Sequence, residues 1–184
     1  MIIFVVALKA EISWLIDTID IKLDQKTPFE IYKNDKISVI ISGVGYINSL
    51  IATTYIINRY KDIKKIINIG IAGAKDGIKI SSIYSIYKLI DRFDDSIYFL
   101  DNVIFEKASL STYKEEKFDK KGLKSTLVDM EASAFYKACR YFVKKDKIYI
   151  IKVVSDNLQN INIDNSHIKD LFDKNKNYLI KELL

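Results

Sequence analysis

With 184 residues, 49% of them apolar, the chain is long enough for one domain with a real core and too apolar to be disordered. Its formal charge of +5 comes from lysines scattered among acids and apolar residues, with only three arginines, so it reads as a solvated surface and not as a nucleic-acid track. One histidine, His167, and one cysteine, Cys139, leave no ligand set for a metal and no internal disulfide, which fits a cytoplasmic protein.

Residues 1–7 (MIIFVVA) form a continuous apolar run rich in β-branched side chains, the mark of a strand buried on both faces. The run has no basic flank or small-residue cleavage site, so a strand is expected here and not a signal peptide. No apolar run approaches the roughly 18–20 residues that cross a bilayer. Residues 9–19 read as a helix with Trp14, Leu15 and Ile19 on one side. Glu11 falls at its start, just past the strand's carboxyl end, either as an ordinary first-turn acid or at the edge where open α/β sheets bind ligands.

Thr27-Pro28 marks a turn, and residues 29–34 and 37–42 make a hairpin around Asn34-Asp35. Ser42-Gly43-Val44-Gly45 then leads into an amphipathic helix over 47–60. Glycines between a strand and a helix let backbone N–H groups approach a ligand, although this pair completes neither a P-loop nor a dinucleotide fingerprint. Residues 66–69 form a third buried strand that ends in Gly70-Ile71-Ala72-Gly73-Ala74, again small residues at a strand end. Residues 83–90 alternate Tyr with Ile as a strand, 91–107 read as two short strands, and 114–124 as a lysine-rich surface segment.

A short apolar approach, 126–128, delivers Asp129 and Glu131 on either side of Met130. A helix follows in which Ala132, Phe135, Ala138, Cys139 and Phe142 recur at three- and four-residue steps. Residues 147–155 (KIYIIKVVS) are a strand that ends in Ser155-Asp156, with Lys152, Val154 and Asp156 on one face by period two. Asn162 to Ser166 supply caps for a closing helix over 167–184. Strands alternating with helices, without linker or repeat, give an α/β fold in one domain over 1–184, with helices on both faces of the sheet.

Glu11, Glu131 and Asp156 each follow an apolar strand at its ligand-binding end. Three such acids with two glycine-rich strand ends propose a pocket. Carboxylates can hold a vicinal diol, protonate a leaving group or activate water, and they suit the oxocarbenium-like transition state of glycosidic cleavage.

Val128-Asp129-Met130-Glu131-Ala132 followed by Val153-Val154-Ser155-Asp156 resembles the paired V-E-M-E-A and I-S-D motifs of the purine nucleoside phosphorylase and uridine phosphorylase superfamily. The resemblance is greatest to its 5′-methylthioadenosine/S-adenosylhomocysteine nucleosidase branch. Ala7-Leu8-Lys9-Ala10-Glu11 is similar to that branch's A-M-x-x-E, Ser42-Gly43-Val44-Gly45 to its S-G-I-G, and Asn68 to Gly73 to its N-T-G-S-A-G. The resemblance implies a three-layer α-β-α sandwich around a twisted mixed sheet, a homodimer, no cofactor, and a small-molecule nucleoside from methionine salvage as substrate. It makes Asp156 the acid that protonates purine N7 and Glu11 the group that positions or deprotonates the attacking water. Glu131 would hold the ribose hydroxyls, Met130 would pack on the sugar, and Tyr113 would lie against the base. Ser155, Gly73 and Ala72 complete the substrate-binding set, and Asp129 reads either as its further member or as a helix-start acid.

Glu11 stands where the phosphorylases carry a phosphate-binding loop, which favours hydrolysis of an adenine nucleoside such as 5′-methylthioadenosine or S-adenosylhomocysteine. A phosphate-dependent phosphorylase, a futalosine-type hydrolase and a degenerate nucleoside binder are the alternatives. Several motif positions depart from the family: Asp129 replaces Glu, Ile71 replaces Ser, Lys152 replaces an arginine, and Leu110-Ser111 replaces Gly-Asp. The interval 74–108 is also shorter than the family's.

Overall fold

Ile2–Val6 (β1) lies inside a ten-stranded sheet, with Ile3 and Val5 turned to one face and Phe4 and Val6 to the other, all four fully buried. A strand covered on both sides needs no polar face, hence its unbroken apolar sequence. The computed structural model describes residues 1–116, 121–158 and 163–184. Part of the surface segment expected at 114–124, and the first of the capping residues expected at 162–166, lie outside these.

After β1 come a 3-10 turn (Lys9–Glu11), α1 (Ser13–Ile16), β2 (Lys22–Gln25), β3 (Glu30–Lys33), β4 (Ile37–Ile41) and α2 (Tyr46–Arg59). The chain continues through β5 (Lys65–Ala74), β6 (Ile83–Asp91), β7 (Ile97–Phe99), β8 (Glu106–Thr112) and β9 (Leu127–Asp129). It ends with α3 (Ala132–Cys139), β10 (Ile148–Asp156), α4 (Asn165–Asp173) and α5 (Lys176–Leu183). Strands β4, β1, β5 and β10 run parallel, so their carboxyl ends share one edge. The β3–β4 hairpin and β2 extend the sheet antiparallel on the far side.

Beyond β5 the sheet does not simply continue. β5 pairs with both β10 and β9, β10 pairs with β6, and β6 reaches β9 through β8. These five strands therefore close into a ring, which brings the ends of β8 and β9 beside the carboxyl ends of β5 and β10. Helices α2 and α3 cover one face through Ala52, Ile56, Phe135 and Cys139. Helices α1, α4 and α5 cover the other through Trp14, Leu15, Phe172 and Leu179. The expected mixed sheet with helices on both faces is the one observed, and the closure is additional.

Several expected elements differ. The helix at 9–19 is a 3-10 turn and a four-residue α-helix, because the Glu11 carboxylate takes the N–H groups of Ala7 and Leu8 and tightens the chain there. The closing helix is two, α4 and α5, meeting where Asn175 Nδ2 donates to Leu171 and Ser81 oxygens. Helix α3 stops at Cys139, which leaves Phe142 61% exposed, off the packing face expected for it. Between 91 and 107 the structure has one complete short strand, β7, and the start of β8. Strand β5 runs through its glycines to Ala74, where a strand end was expected at Ile69. Among the described residues, no helix is long and apolar enough to cross a membrane.

Candidate active site

A cavity of about 530 Å³ opens where the ends of β1, β5, β9 and β10 meet. All nine residues singled out from the sequence line it: Glu11, Glu131, Asp156, Asp129, Met130, Tyr113, Ser155, Ala72 and Gly73. They come from five separate strand ends, and only the ring closure brings Tyr113 and Asp129 to the same space as Glu11. The register agrees, because Gly73 is opposite Val128 on one side and Asp156 on the other.

Glu11 is buried and held by three backbone donors. The N–H groups of Ala7 and Leu8 both donate to Oε2 at 2.9 Å, and that of Ile71 donates to Oε1 at 3.0 Å. Burial nevertheless pushes its pKa above the ordinary carboxylate value, with those bonds and the Lys152 charge pulling the other way. The carboxylate fits because residue 70 is glycine, where a Cβ would lie 2.8 Å from Glu11 Oε1. The fit explains why small residues interrupt an otherwise Ile-rich strand.

Glu131 sits between β9 and α3, only 8% exposed. The Gly45 N–H donates to its Oε1 at 2.7 Å across 86 residues of sequence. Gly45 has φ +103°, a backbone conformation costly for any residue with a Cβ, and this turn aims the N–H. Burial first, then the charge of Asp129 and more weakly of Glu11, push the Glu131 pKa up to about 7 against the opposing pull of Lys152 and the Gly45 N–H.

Asp129 borders the cavity with both oxygens engaged. Thr112 Oγ1 donates to Oδ1 at 2.7 Å, the Ala132 N–H donates to Oδ2 at 2.8 Å, and Lys152 Nζ pairs with Oδ2 at 2.8 Å. The Ala132 bond satisfies one of the orphan donors at the start of α3. The sequence reading placed Lys152 on the strand face of Asp156, recorded it as a departure from a motif, and gave it no role. It is 1% exposed, lies outside the cavity lining, and is the cation nearest the acids. Burial works against its charge, yet Asp129, Glu131 and Glu11 together hold its pKa above the ordinary lysine value. The signal was present, because a lysine in the middle of an apolar strand is almost never fully buried without a partner.

Asp156 ends β10 and is half-buried. Ser155 Oγ is 2.7 Å from Asp156 Oδ2 and 3.2 Å from the Ala72 carbonyl, and the Leu158 N–H donates to Oδ1 at 2.7 Å. One serine proton thus has two acceptors, so Ser155 can release Oδ2 by turning to Ala72. Tyr113 is fixed by its N–H donating to the Asp129 carbonyl at 2.8 Å. Val44, Leu158, Ile163 and Ile168 add apolar wall that the sequence reading did not assign, and Glu115 and Glu116 also border the cavity. Among the described lining residues there is no lysine, arginine or histidine. Arg59 and Arg140 are exposed and Arg92 is half-buried, all away from the cavity.

No protein-family model matches the chain, and no curated protein matches it in sequence. Solved structures do match. The 5′-methylthioadenosine/S-adenosylhomocysteine nucleosidase of Neisseria meningitidis, in complex with methylthio-immucillin-A, aligns with TM-score 0.80 over 99% of this chain and 97% of its own, at 17% identity. The 5′-methylthioadenosine nucleosidase of Arabidopsis thaliana aligns with TM-score 0.81 over 98% and 93%, also at 17% identity. The futalosine hydrolase of Helicobacter pylori aligns with TM-score 0.79 over 99% and 96%, again at 17%. What is shared at such identity is the fold, the nucleoside phosphorylase-like arrangement of a mixed sheet between helical layers.

Proposed function

We propose that this chain, with the nucleosidase fold and its acids gathered in one cavity, hydrolyses the N-glycosidic bond of a purine nucleoside. The observation that carries the reading is the lining itself. Glu11, Glu131 and Asp156 converge on a space large enough for a nucleoside, with no cationic side chain among the described lining residues. Phosphate would meet the like charge of these carboxylates there, whereas water and a neutral sugar would not.

In this reading Tyr113 stacks on the base and Asp156 donates a proton to purine N7 as the C1′–N9 bond breaks. The bonding electrons leave with the base, and C1′ takes on oxocarbenium character. Water adds to C1′ and gives its proton to Glu11, which three backbone donors hold in place. Glu131 accepts from the ribose hydroxyls, and Met130 covers the sugar. Asp129, with both oxygens already engaged, acts by fixing α3 and Lys152 and so keeps Glu131 in register.

The base is adenine in this proposal, carried by a nucleoside of methionine salvage such as 5′-methylthioadenosine or S-adenosylhomocysteine. Futalosine is the second candidate, because the futalosine hydrolase fold matches equally well. The working form is a single-domain, cytoplasmic homodimer. A free, buried Cys139 supports the compartment, and exposed Ile47 and Ile51 along α2 support the dimer. The test is incubation with methylthioadenosine, S-adenosylhomocysteine, adenosine, inosine and futalosine, with and without phosphate. Free base without phosphate supports hydrolysis. Binding of nucleosides with no release from any would make the chain a degenerate binder.

A further inference from the structure

Asp91 ends β6, is completely buried, and lines no part of the cavity. Three donors converge on its carboxylate. Lys137 Nζ lies 2.5 Å from Oδ2, the Tyr46 hydroxyl donates to Oδ2 at 2.9 Å, and the Phe93 N–H donates to Oδ1 at 2.8 Å. Tyr46 is the first residue of α2 and directly follows Gly45, and its ring packs on Phe93 with centroids 3.9 Å apart. Lys137 belongs to α3, the helix that begins immediately after Glu131. One buried carboxylate therefore ties together the two elements that carry the two ends of the Gly45–Glu131 hydrogen bond. Asp91 is fully buried whereas the Lys137 side chain is 22% exposed, and a pair open to solvent on one side adds little stability, so fold stability alone is a weak reason for this one.

We propose that Asp91 is a positioning residue for Glu131: by fixing Tyr46 and Lys137 it keeps the Gly45 N–H on the Glu131 carboxylate. The consequence for ribose binding rests on the nucleosidase reading, whereas the positioning itself does not. Tyr46→Phe deletes the hydroxyl's contacts with Asp91 and Lys137 and keeps both the ring packing and the Asp91–Lys137 pair. The charged groups near Glu131, namely Asp129 on β9, Lys152 on β10 and Glu11 on the 3-10 turn, are unchanged in this variant.

The test follows the Glu131 carboxyl carbon by NMR in substrate-free protein, the signal assigned by its loss in Glu131→Gln. A donor on the ionised form lowers a carboxyl midpoint, so loosening the Gly45 N–H in Tyr46→Phe raises the Glu131 midpoint by about half a pH unit to one unit. Asp94→Asn, which removes only the outer partner of Lys137, leaves it in place. With substrate, Tyr46→Phe raises KM about threefold to tenfold and changes kcat less. An unmoved Glu131 midpoint in folded Tyr46→Phe, or an equal shift in Asp94→Asn, would overturn the proposal. A wild-type protein that cleaves no nucleoside would instead refute the functional reading and leave the titration to decide the positioning.

Discussion

Lys152→Met keeps the unbranched side chain to within one atom of its length and removes the charge that faces Asp129, Glu131 and Glu11. The Lys152–Asp129 contact is 2.8 Å with both side chains 1% exposed. At that separation the attraction is about 6 kcal/mol for an effective dielectric constant of about 20. The variant no longer bears the cost of burying the ammonium, which leaves a net loss of about 3–5 kcal/mol, the range for breaking one side of a buried pair. The pH dependence has a definite sign. The Glu131 pKa is raised in the folded state from 4.5 to about 7, so folding binds a proton and stability falls as pH rises through that window. Without Lys152 the Glu131 midpoint rises further, so the extra loss is largest near pH 8 and shrinks toward pH 5, where Glu131 holds its proton in both proteins. Urea denaturation at the two pH values measures this. Equal losses at both, or a loss below about 1 kcal/mol at pH 8, would show that Lys152 does not neutralise the cluster.

Asp156→Asn is expected to lower turnover by about 10²–10⁴-fold, the usual contribution of a general acid, with the dissociation constant for the nucleoside within about threefold. Single-turnover assays and calorimetry separate the two, and unchanged turnover would remove Asp156 from the mechanism. Gly70→Ala puts a methyl 2.8 Å from Glu11 Oε1 and should displace the carboxylate from the Ile71 N–H. That costs about 1–3 kcal/mol of stability and lowers kcat more than it raises KM. Wild-type stability and kcat in this variant would mean that Glu11 has room to spare. Nucleoside affinity should rise with pH through about 7 as Glu131 ionises and can accept from the ribose, and Glu131→Gln should flatten that dependence. Affinity measured from pH 5.5 to 8.5 in both proteins checks this, and identical profiles would take Glu131 off the sugar.

Much of the site was readable because polar residues interrupt apolar runs only for a reason. Glu11, Glu131 and Asp156 each end such a run, and all line one cavity. β1, the β3–β4 hairpin and α2 followed from β-branched runs, a turn dipeptide and amphipathic spacing. The ring closure was not readable, because its pairings join residues far apart in sequence, such as Leu110 with Leu127 and Ile151 with Ser85. Lys152 was read as an exchanged arginine, since its buried partner Asp129 comes from another strand. Strand β2 (KLDQ) gave no alternating pattern because it is largely exposed at the sheet edge. The break between α4 and α5 depends on Asn175 reaching Ser81, a contact no local pattern encodes.

The most direct measurement of the central claim is the sugar product formed from methylthioadenosine in saturating inorganic phosphate, followed by phosphorus NMR together with release of adenine. A cavity lined by carboxylates, with no cationic side chain among the described lining residues, predicts free adenine and a free reducing sugar, with no sugar 1-phosphate resonance. A sugar 1-phosphate signal growing in step with adenine would contradict it.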